Sequence, residues 1–324
     1  MSTLNYRKGL HHLGNGCHAW LLPDGSWGWS NSGLITGSGT SLMVDTLFDL
    51  TLTEEMLTGI KPVTDKHPLT TLVNTHSDGD HYFGNQVVAR RDVEIIASEA
   101  AAELMTQDAV DQLVGLKSTD GIVGEFARDI FGPFTFEGIV STGPTRTFAG
   151  ELSLDVGGRE VNLIQVGPAH TAGDVLVYVP DARTLYAGDI LFVGGTPIVW
   201  AGPTERWIAA CDLILDLELT VIVPGHGPIT DKAGVQNVRD YLTFVIAEAT
   251  KRFEDGLTVD EAIDSIDLGR YARVAEHGRI AQNVLRVYQQ LDPTLTLPGP
   301  STVLEMIAAL EGFSAPAPQD ASRG

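Results

Sequence analysis

Cysteine is almost missing: Cys17 and Cys211 are the two thiols in 324 residues. That excludes a disulfide framework, and thiols this sparse are expected to stay reduced inside a cell. Positive charge is the second shortage. Lys and Arg number 21 against 42 Asp and Glu, a formal net charge of −21. A surface this acidic repels phosphate backbones and anionic lipid, so neither nucleic acid nor membrane is an expected partner. No apolar run approaches the roughly 20 residues that cross a bilayer. The opening residues, through Gly14, lack the apolar core of an export signal, so a cytoplasmic location is expected. No internal repeat recurs at a fixed period. What remains is 43% hydrophobic and 19% charged, a globular composition with ample length for a packed core.

The hydrophobic pattern alternates between strand and helix. Residues 34–45 read as two strands joined by the Gly37-Ser-Gly39 turn, and Leu52, Met56 and Ile60 sit at helical spacing. Short strands are predicted at 69–73, 93–97, 152–156, 160–166, 175–179, 184–187 and 219–223. Helices are predicted at 51–60, 98–116 and 203–218, and again at 235–253, 259–266, 273–291 and 301–310. Residues 117–150 show no clear period and read as an insertion or lid. The strand–helix order, given twice and followed by helices, predicts an α/β fold, an αββα sandwich of two facing sheets with helices outside. The expected organisation is a main domain over 1–255, a helical C-terminal extension over 256–312 and a disordered tail over 313–324.

Four of the nine histidines share one context, a turn directly after a predicted strand. His76 and His81 follow 69–73, His170 follows 160–166, and His226 follows 219–223; Asp189 stands in the same way after 184–187. Strand ends along one sheet edge converge, and loops held by a rigid scaffold are where sites are built. Imidazole with carboxylate is a donor set for Zn, Fe or Mn.

These residues lie in four ordered motifs: Asn74-x-His76-x-Asp78-x-Asp80-His81, Gly167-x-x-His170, Gly188-Asp189 and Gly225-His226-Gly227. In this pattern the chain resembles the metallo-β-lactamase superfamily over about residues 10–255, with Asp45 matching an early family Asp. The resemblance implies the αββα fold and two divalent metal ions, Zn first, with Fe or Mn as alternatives. It places His76, Asp78 and His170 on the first metal, Asp80, His81 and His226 on the second, and Asp189 between them. Asp80 would also act as the catalytic proton acceptor. The family carries His where this chain has Asp78. The added negative charge makes the site less positive, acidifies bound water less and suits a harder ion.

The implied chemistry is hydrolysis by a metal-activated hydroxide. The acidic surface disfavours nucleic-acid phosphodiesters. A glutathione-thioester hydrolase would show an intact His-x-His and a basic C-terminal patch, where this chain has scattered Arg270, Arg273, Arg279 and Arg286. Aromatic residues beside the motifs are Trp27, Trp29, Tyr82, Phe83, Phe192 and Trp200. Of these, Trp29, Phe192 and Trp200 are the expected substrate contacts, and they favour a small apolar or aromatic ester, thioester, lactone or activated aryl ether. A short likeness around Trp27 to Leu34 points to the branch holding aromatic-polyketide thioesterases and cyclases. His277 is a further candidate for the pocket. Two alternatives stand beside the hydrolase: a di-iron redox enzyme of the flavodiiron or persulfide-dioxygenase type, and a non-catalytic subunit of a hetero-oligomer. A homo- or hetero-oligomer is compatible with each reading.

Overall fold

A computed structural model describes residues 6–314. Strands β1 (Gly9–Gly14), β2 (Cys17–Leu21), β3 (Ser32–Gly37), β4 (Thr40–Val44), β5 (Leu69–Val73), β6 (Glu94–Ser98) and β7 (Arg146–Phe148) form one sheet in sequential order. Pairing is antiparallel from β1 to β4 and parallel from β4 to β7. The second sheet runs in the order β12-β11-β10-β9-β8, built from β8 (Glu151–Asp155), β9 (Glu160–Gln165), β10 (Val175–Val179), β11 (Thr184–Tyr186) and β12 (Val221–Val223). Of its pairs, β11 with β12 is parallel.

The period-2 alternation of the strands divides the core into layers. Leu42 and Val44 of β4 meet Val175, Val177 and Val179 of β10 between the sheets. Met43, between Leu42 and Val44, turns outward to pack with Met56 and Leu57 on helix α1 (Leu50–Gly59) and with Ile60 at its C-terminal cap. Leu176, on the outer face of β10, joins Trp207, Cys211 and Ile214. This is the αββα sandwich, with Cys17 and Cys211 both buried as packing residues.

Several local expectations shift. β1 and β2 were not anticipated, and the strand expected at 219–223 is confined to Val221–Val223. The helix expected over 98–116 is two: Ser98 caps the single turn Glu99–Ala102, and a new helix, α2 (Gln107–Lys117), begins after Thr106 takes an extended backbone. Residues 117–150 contain helix α3 (Gly121–Phe131), whose Val123, Phe126, Ala127 and Phe131 are buried. Its period is diluted by Gly124, where a Cβ would sit 1.6 Å from the Thr119 carbonyl oxygen.

Helices α4 (Thr204–Asp216), α5 (Lys232–Glu254), α6 (Val259–Ser265), α7 (Ile280–Leu291) and α8 (Pro300–Leu310) complete the outer layer. Thr258 and Glu261 form a reciprocal capping box at the start of α6. Residues of α5, α7 and α8 share one buried cluster with the outer face of the second sheet, so the C-terminal helices pack as part of the core. Phe313, expected in the tail, meets Phe126 edge-on at 5.2 Å; residues 315–324 lie outside the described residues.

Candidate metal centre

The motif residues meet at one edge of the sandwich, where β4, β5, β11 and β12 end. His76, Asp78, Asp80 and His81 lie in the turn and short helix after β5, His170 in the loop after β9, Asp189 just beyond β11 and His226 just beyond β12. They fall into three sets within metal-ligand reach: His76, Asp78 and His170; His76, His81 and Asp189; Asp80, His81 and His226. His170 Nε2 is 3.1 Å from Asp78 Oδ2, and His226 Nε2 is 3.1 Å from Asp80 Oδ2. Asp189 lies between the sets, 3.1 Å from His81, 3.4 Å from His226, 3.5 Å from His170 and 3.8 Å from His76.

The loops are held by buried hydrogen bonds. Asn74 Nδ2 and the Thr46 amide both donate to the His81 carbonyl, and Ser30 Oγ donates to the Asp80 carbonyl. The Asp174 carboxylate accepts from the amides of Ala169 and Thr171 and from the Thr171 hydroxyl, closing the loop that carries His170. Burial pushes the Asp174 pKa up to about 6 against these bonds. Gly225 is required by contact: a Cβ there would stand 1.9 Å from Asp189 Oδ1.

Each ring is aimed by its outer nitrogen. His170 Nδ1 donates to the Ile198 carbonyl at 2.7 Å, and His226 Nδ1 to the Gly25 carbonyl at 3.1 Å. His81 Nδ1 donates to Asp45 Oδ2 at 3.0 Å. The Thr75 hydroxyl donates to the same carboxylate at 2.7 Å, which leaves its lone pair to accept from His76 Nδ1 at 3.0 Å. With the rings neutral, as a metal requires, all four Nε2 atoms point lone pairs inward, toward three carboxylates. Four imidazole nitrogens and three carboxylates face one another, and a proton on His170 or His226 is shared with Asp78 or Asp80. His76 Nε2, His81 Nε2 and Asp189 Oδ1 are buried with no hydrogen-bond partner. Such a cluster demands cations, and its imidazole and carboxylate donors fit divalent transition metals.

Protonation follows the same logic. Burial opposes a charged His226, yet Asp189 and Asp80 outweigh it and push its pKa up to about 10. His170 is likewise raised to about 9 against burial, chiefly by Asp78. Burial and the neighbouring His81 hold His76 well below the usual imidazole range.

A cavity of about 290 Å³ opens over the centre, lined by Asp78, Asp80, His170, Asp189 and His226 on its floor and by Trp27, Phe48, Phe83, Phe131, Phe192 and Trp200 on its walls. Phe192 stacks on the His226 ring, 5.2 Å between centroids and 7° from parallel. Of the expected substrate contacts, Phe192 and Trp200 line this cavity. Trp29 lines a neighbouring one and packs against Phe134 at 4.8 Å. Its loop places Trp27 over the centre instead. Tyr82 turns away toward the Thr106 carbonyl, and His277 lies 3.7 Å from Glu311, outside the cavity. Phe131 comes from the stretch without a clear period, Leu116 from the end of the helix expected before it, and Arg279 and Leu304 from the C-terminal helical region.

Comparison with known proteins agrees with this geometry. The Metallo-beta-lactamase superfamily profile matches residues 25–226. The chain is 27% identical over 214 residues to 2,4-dinitroanisole O-demethylase subunit alpha of Nocardioides sp. (strain JS1661), covering 64% of this chain and 54% of that one. The chain thus spans about half the length of that relative. In fold it is similar to the sec-alkylsulfatase Pisa1 from Pseudomonas sp., with TM-score 0.64 and 17% identity over 90% of this chain and 52% of that one. A metallo-beta-lactamase from Pontibacter korlensis matches at TM-score 0.55 and 21% identity, over 73% of this chain and 99% of that one. With the profile spanning all four motifs and the matching fold beneath them, this chain belongs to the metallo-β-lactamase superfamily.

Proposed function

We propose that the chain is a metal-dependent hydrolase with a dinuclear centre, acting on a small apolar or aromatic ester, thioester, lactone or activated aryl ether. The observation that carries this reading is a juxtaposition: a buried cluster of four imidazoles and three carboxylates, three of its atoms without a hydrogen-bond partner, forms the floor of a cavity with aromatic walls. His76, Asp78 and His170 would hold one ion, Asp80, His81 and His226 the other, with Asp189 shared. Zn suits the donor set, as do Fe and Mn. Once bound, such ions polarise the bond to be cleaved and acidify water at neutral pH.

Asp78 replaces the family's His as a ligand in this reading. Its side chain is 32% exposed, yet Oδ2 turns inward to 3.1 Å from His170 Nε2. Asp80, 13% exposed beside His226, accepts a proton from water and returns it to the leaving group. Phe192 and Trp200 hold a flat substrate against the floor and exclude bulk water. The Nocardioides relative is named for O-demethylation of 2,4-dinitroanisole, an aryl methyl ether, which supports the ether arm of this substrate class, and is one subunit of its enzyme, which supports a hetero-oligomeric assembly here.

The test uses the purified chain loaded with Zn²⁺ and four probes: 4-nitrophenyl acetate, phenyl thioacetate, dihydrocoumarin and 2,4-dinitroanisole. Turnover of at least one probe, lost on chelation and restored by Zn²⁺, is expected, with two ions per chain by elemental analysis. Asp80→Asn should keep its metal and lower kcat about a hundredfold. No turnover of any probe by fully loaded protein overturns the hydrolase. Two tightly held Fe without hydrolysis favours the redox alternative instead.

Asp78→Ala addresses the ligand at the departing position. It is expected to lower the metal content from two ions to one. Two ions retained at undiminished affinity would remove Asp78 from the ligand set.

A further inference from the structure

Trp27 stands between two cavities. On one side is the 290 Å³ space over the metal centre. On the other is a space of about 260 Å³, with an apolar side of Trp29, Phe126, Ile130, Pro133 and Phe313 and an acidic rim of Asp129, Glu276 and Glu311. Among the described residues, Trp27 alone lines both. Phe131, from the first cavity, meets the indole edge-on at 6.3 Å, and Phe126, from the second, meets it edge-on at 6.4 Å. The wall between the cavities is one side chain thick.

That side chain is held from behind by the chain's C-terminal region. The Trp27 amide donates to Glu276 Oε1 at 2.8 Å, and the Arg279 guanidinium pairs with the same oxygen at 3.0 Å. The guanidinium also lies over the indole, 4.0 Å from a ring centre, and donates through Nη1 to the Thr196 carbonyl at 2.8 Å. Gly28, at φ +77°, lets the loop press inward, because a Cβ there would sit 2.3 Å from the Phe48 ring. The indole is thus gripped through its face, its edge and its own backbone.

We propose that Trp27 is the specificity-determining partition of the site. It ends the metal-facing cavity and limits the length of an apolar substituent on the substrate, and the space behind it is a ready-made extension for a longer alkyl or aryl group. Arg279 and Glu276 act as positioning residues that keep the partition closed. The proposal rests on the reading of the first cavity as the hydrolytic site.

The experiment measures kcat/KM of the Zn-loaded chain for 4-nitrophenyl acetate, butanoate, hexanoate and octanoate. The wild type should favour the short esters. In Trp27→Ala the octanoate-to-acetate ratio should rise at least about tenfold, because each buried methylene adds binding. Trp27→Leu, which keeps an apolar plug of smaller size, should move the ratio the same way by less. Adding Ile130→Trp to Trp27→Ala refills the second cavity and should return the ratio toward wild type. A uniform loss across the series, an unchanged ratio, or a gain that Ile130→Trp leaves intact would overturn the partition. If the wild type cleaves none of the four esters, that result counts against the hydrolytic reading, and the partition is tested by binding. Calorimetry with propyl and heptyl 4-nitrophenyl ketones, which have no leaving group, should then show the heptyl-to-propyl affinity ratio rising about tenfold in Trp27→Ala. No rise in that ratio would sink the partition independently of turnover.

Discussion

Asp189→Ala should strip the centre of both ions and lower kcat/KM about a thousandfold or more. No other carboxylate of the cluster lies within 4.0 Å of all four ligating imidazoles, and its Oδ1 is buried without a partner. Removing it leaves four inward lone pairs with no shared anion between the two ligand sets. The transition-state stabilisation lost with the ions amounts to several kcal/mol, hence the thousandfold. The backbone should tolerate the change, because Gly225 packs against the missing oxygen with no side chain of its own. Elemental analysis and kcat/KM on the best probe decide it. A folded Asp189→Ala chain with two ions and a tenth of the activity would exclude the shared-ligand role.

Asp45→Asn is expected to cost at least a hundredfold in activity while altering no ligand. Asp45 is buried and accepts three bonds, from the Thr75 amide at 2.7 Å, the Thr75 hydroxyl at 2.7 Å and His81 Nδ1 at 3.0 Å. It holds φ +62°, a left-handed backbone that Asn also tolerates, so the fold should survive. An Asn amide would turn its NH₂ toward either Thr75 or His81. Facing His81, it reverses the tautomer: Nδ1 becomes the acceptor, and the proton moves to Nε2, where the ion must bind. Losing such an outer partner costs about 10–100-fold in metal affinity, and a reversed imidazole tautomer costs more in turnover. Metal titration of the variant checks the first effect, and kcat at saturating Zn²⁺ the second. Unchanged Zn²⁺ affinity would show that Asp45 does not orient His81.

The ligand motifs were legible because each candidate follows a strand of the sandwich, and strand ends must converge. His76, Asp78, Asp80, His81, His170, Asp189 and His226 all reach one cluster for that reason. The cavity walls were less legible. Trp27 and Trp29 are two residues apart in an irregular loop, and no periodicity says which one faces the centre. Gly28, at φ +77° with the rings of Phe48 and Phe134 standing where a Cβ would be, turns the chain so that Trp27 does. Phe131 ends the buried stripe Val123, Phe126, Ala127 and Phe131 of a helix only 11 residues long and set among glycines, so it stands out little in the pattern. β1 is hidden in the pattern because its buried position is His11, where an apolar residue would mark a strand. Arg279 read as one of several scattered basic residues, although it is buried against the Trp27 ring.

The supports of the centre are spread along the chain in a way that bears on its synthesis. The proposed ligand residues are complete once His226 has emerged. The Glu276 carboxylate that holds Trp27 comes later, as does Asn283, which accepts from the Val199 amide and donates to the Pro197 carbonyl, on either side of the Ile198 carbonyl that aims His170. At roughly 5–20 residues per second, the interval from His226 to Asn283 lasts roughly 3–11 s. During those seconds a nascent chain presents every donor without the frame that fixes their spacing. Ion choice in that interval follows intrinsic affinity and local supply, where Cu²⁺ outranks Zn²⁺ and Zn²⁺ outranks Fe²⁺. On the proposed ligand set, the ion acquired would therefore depend on when the C-terminal helices dock as well as on the seven proposed ligands.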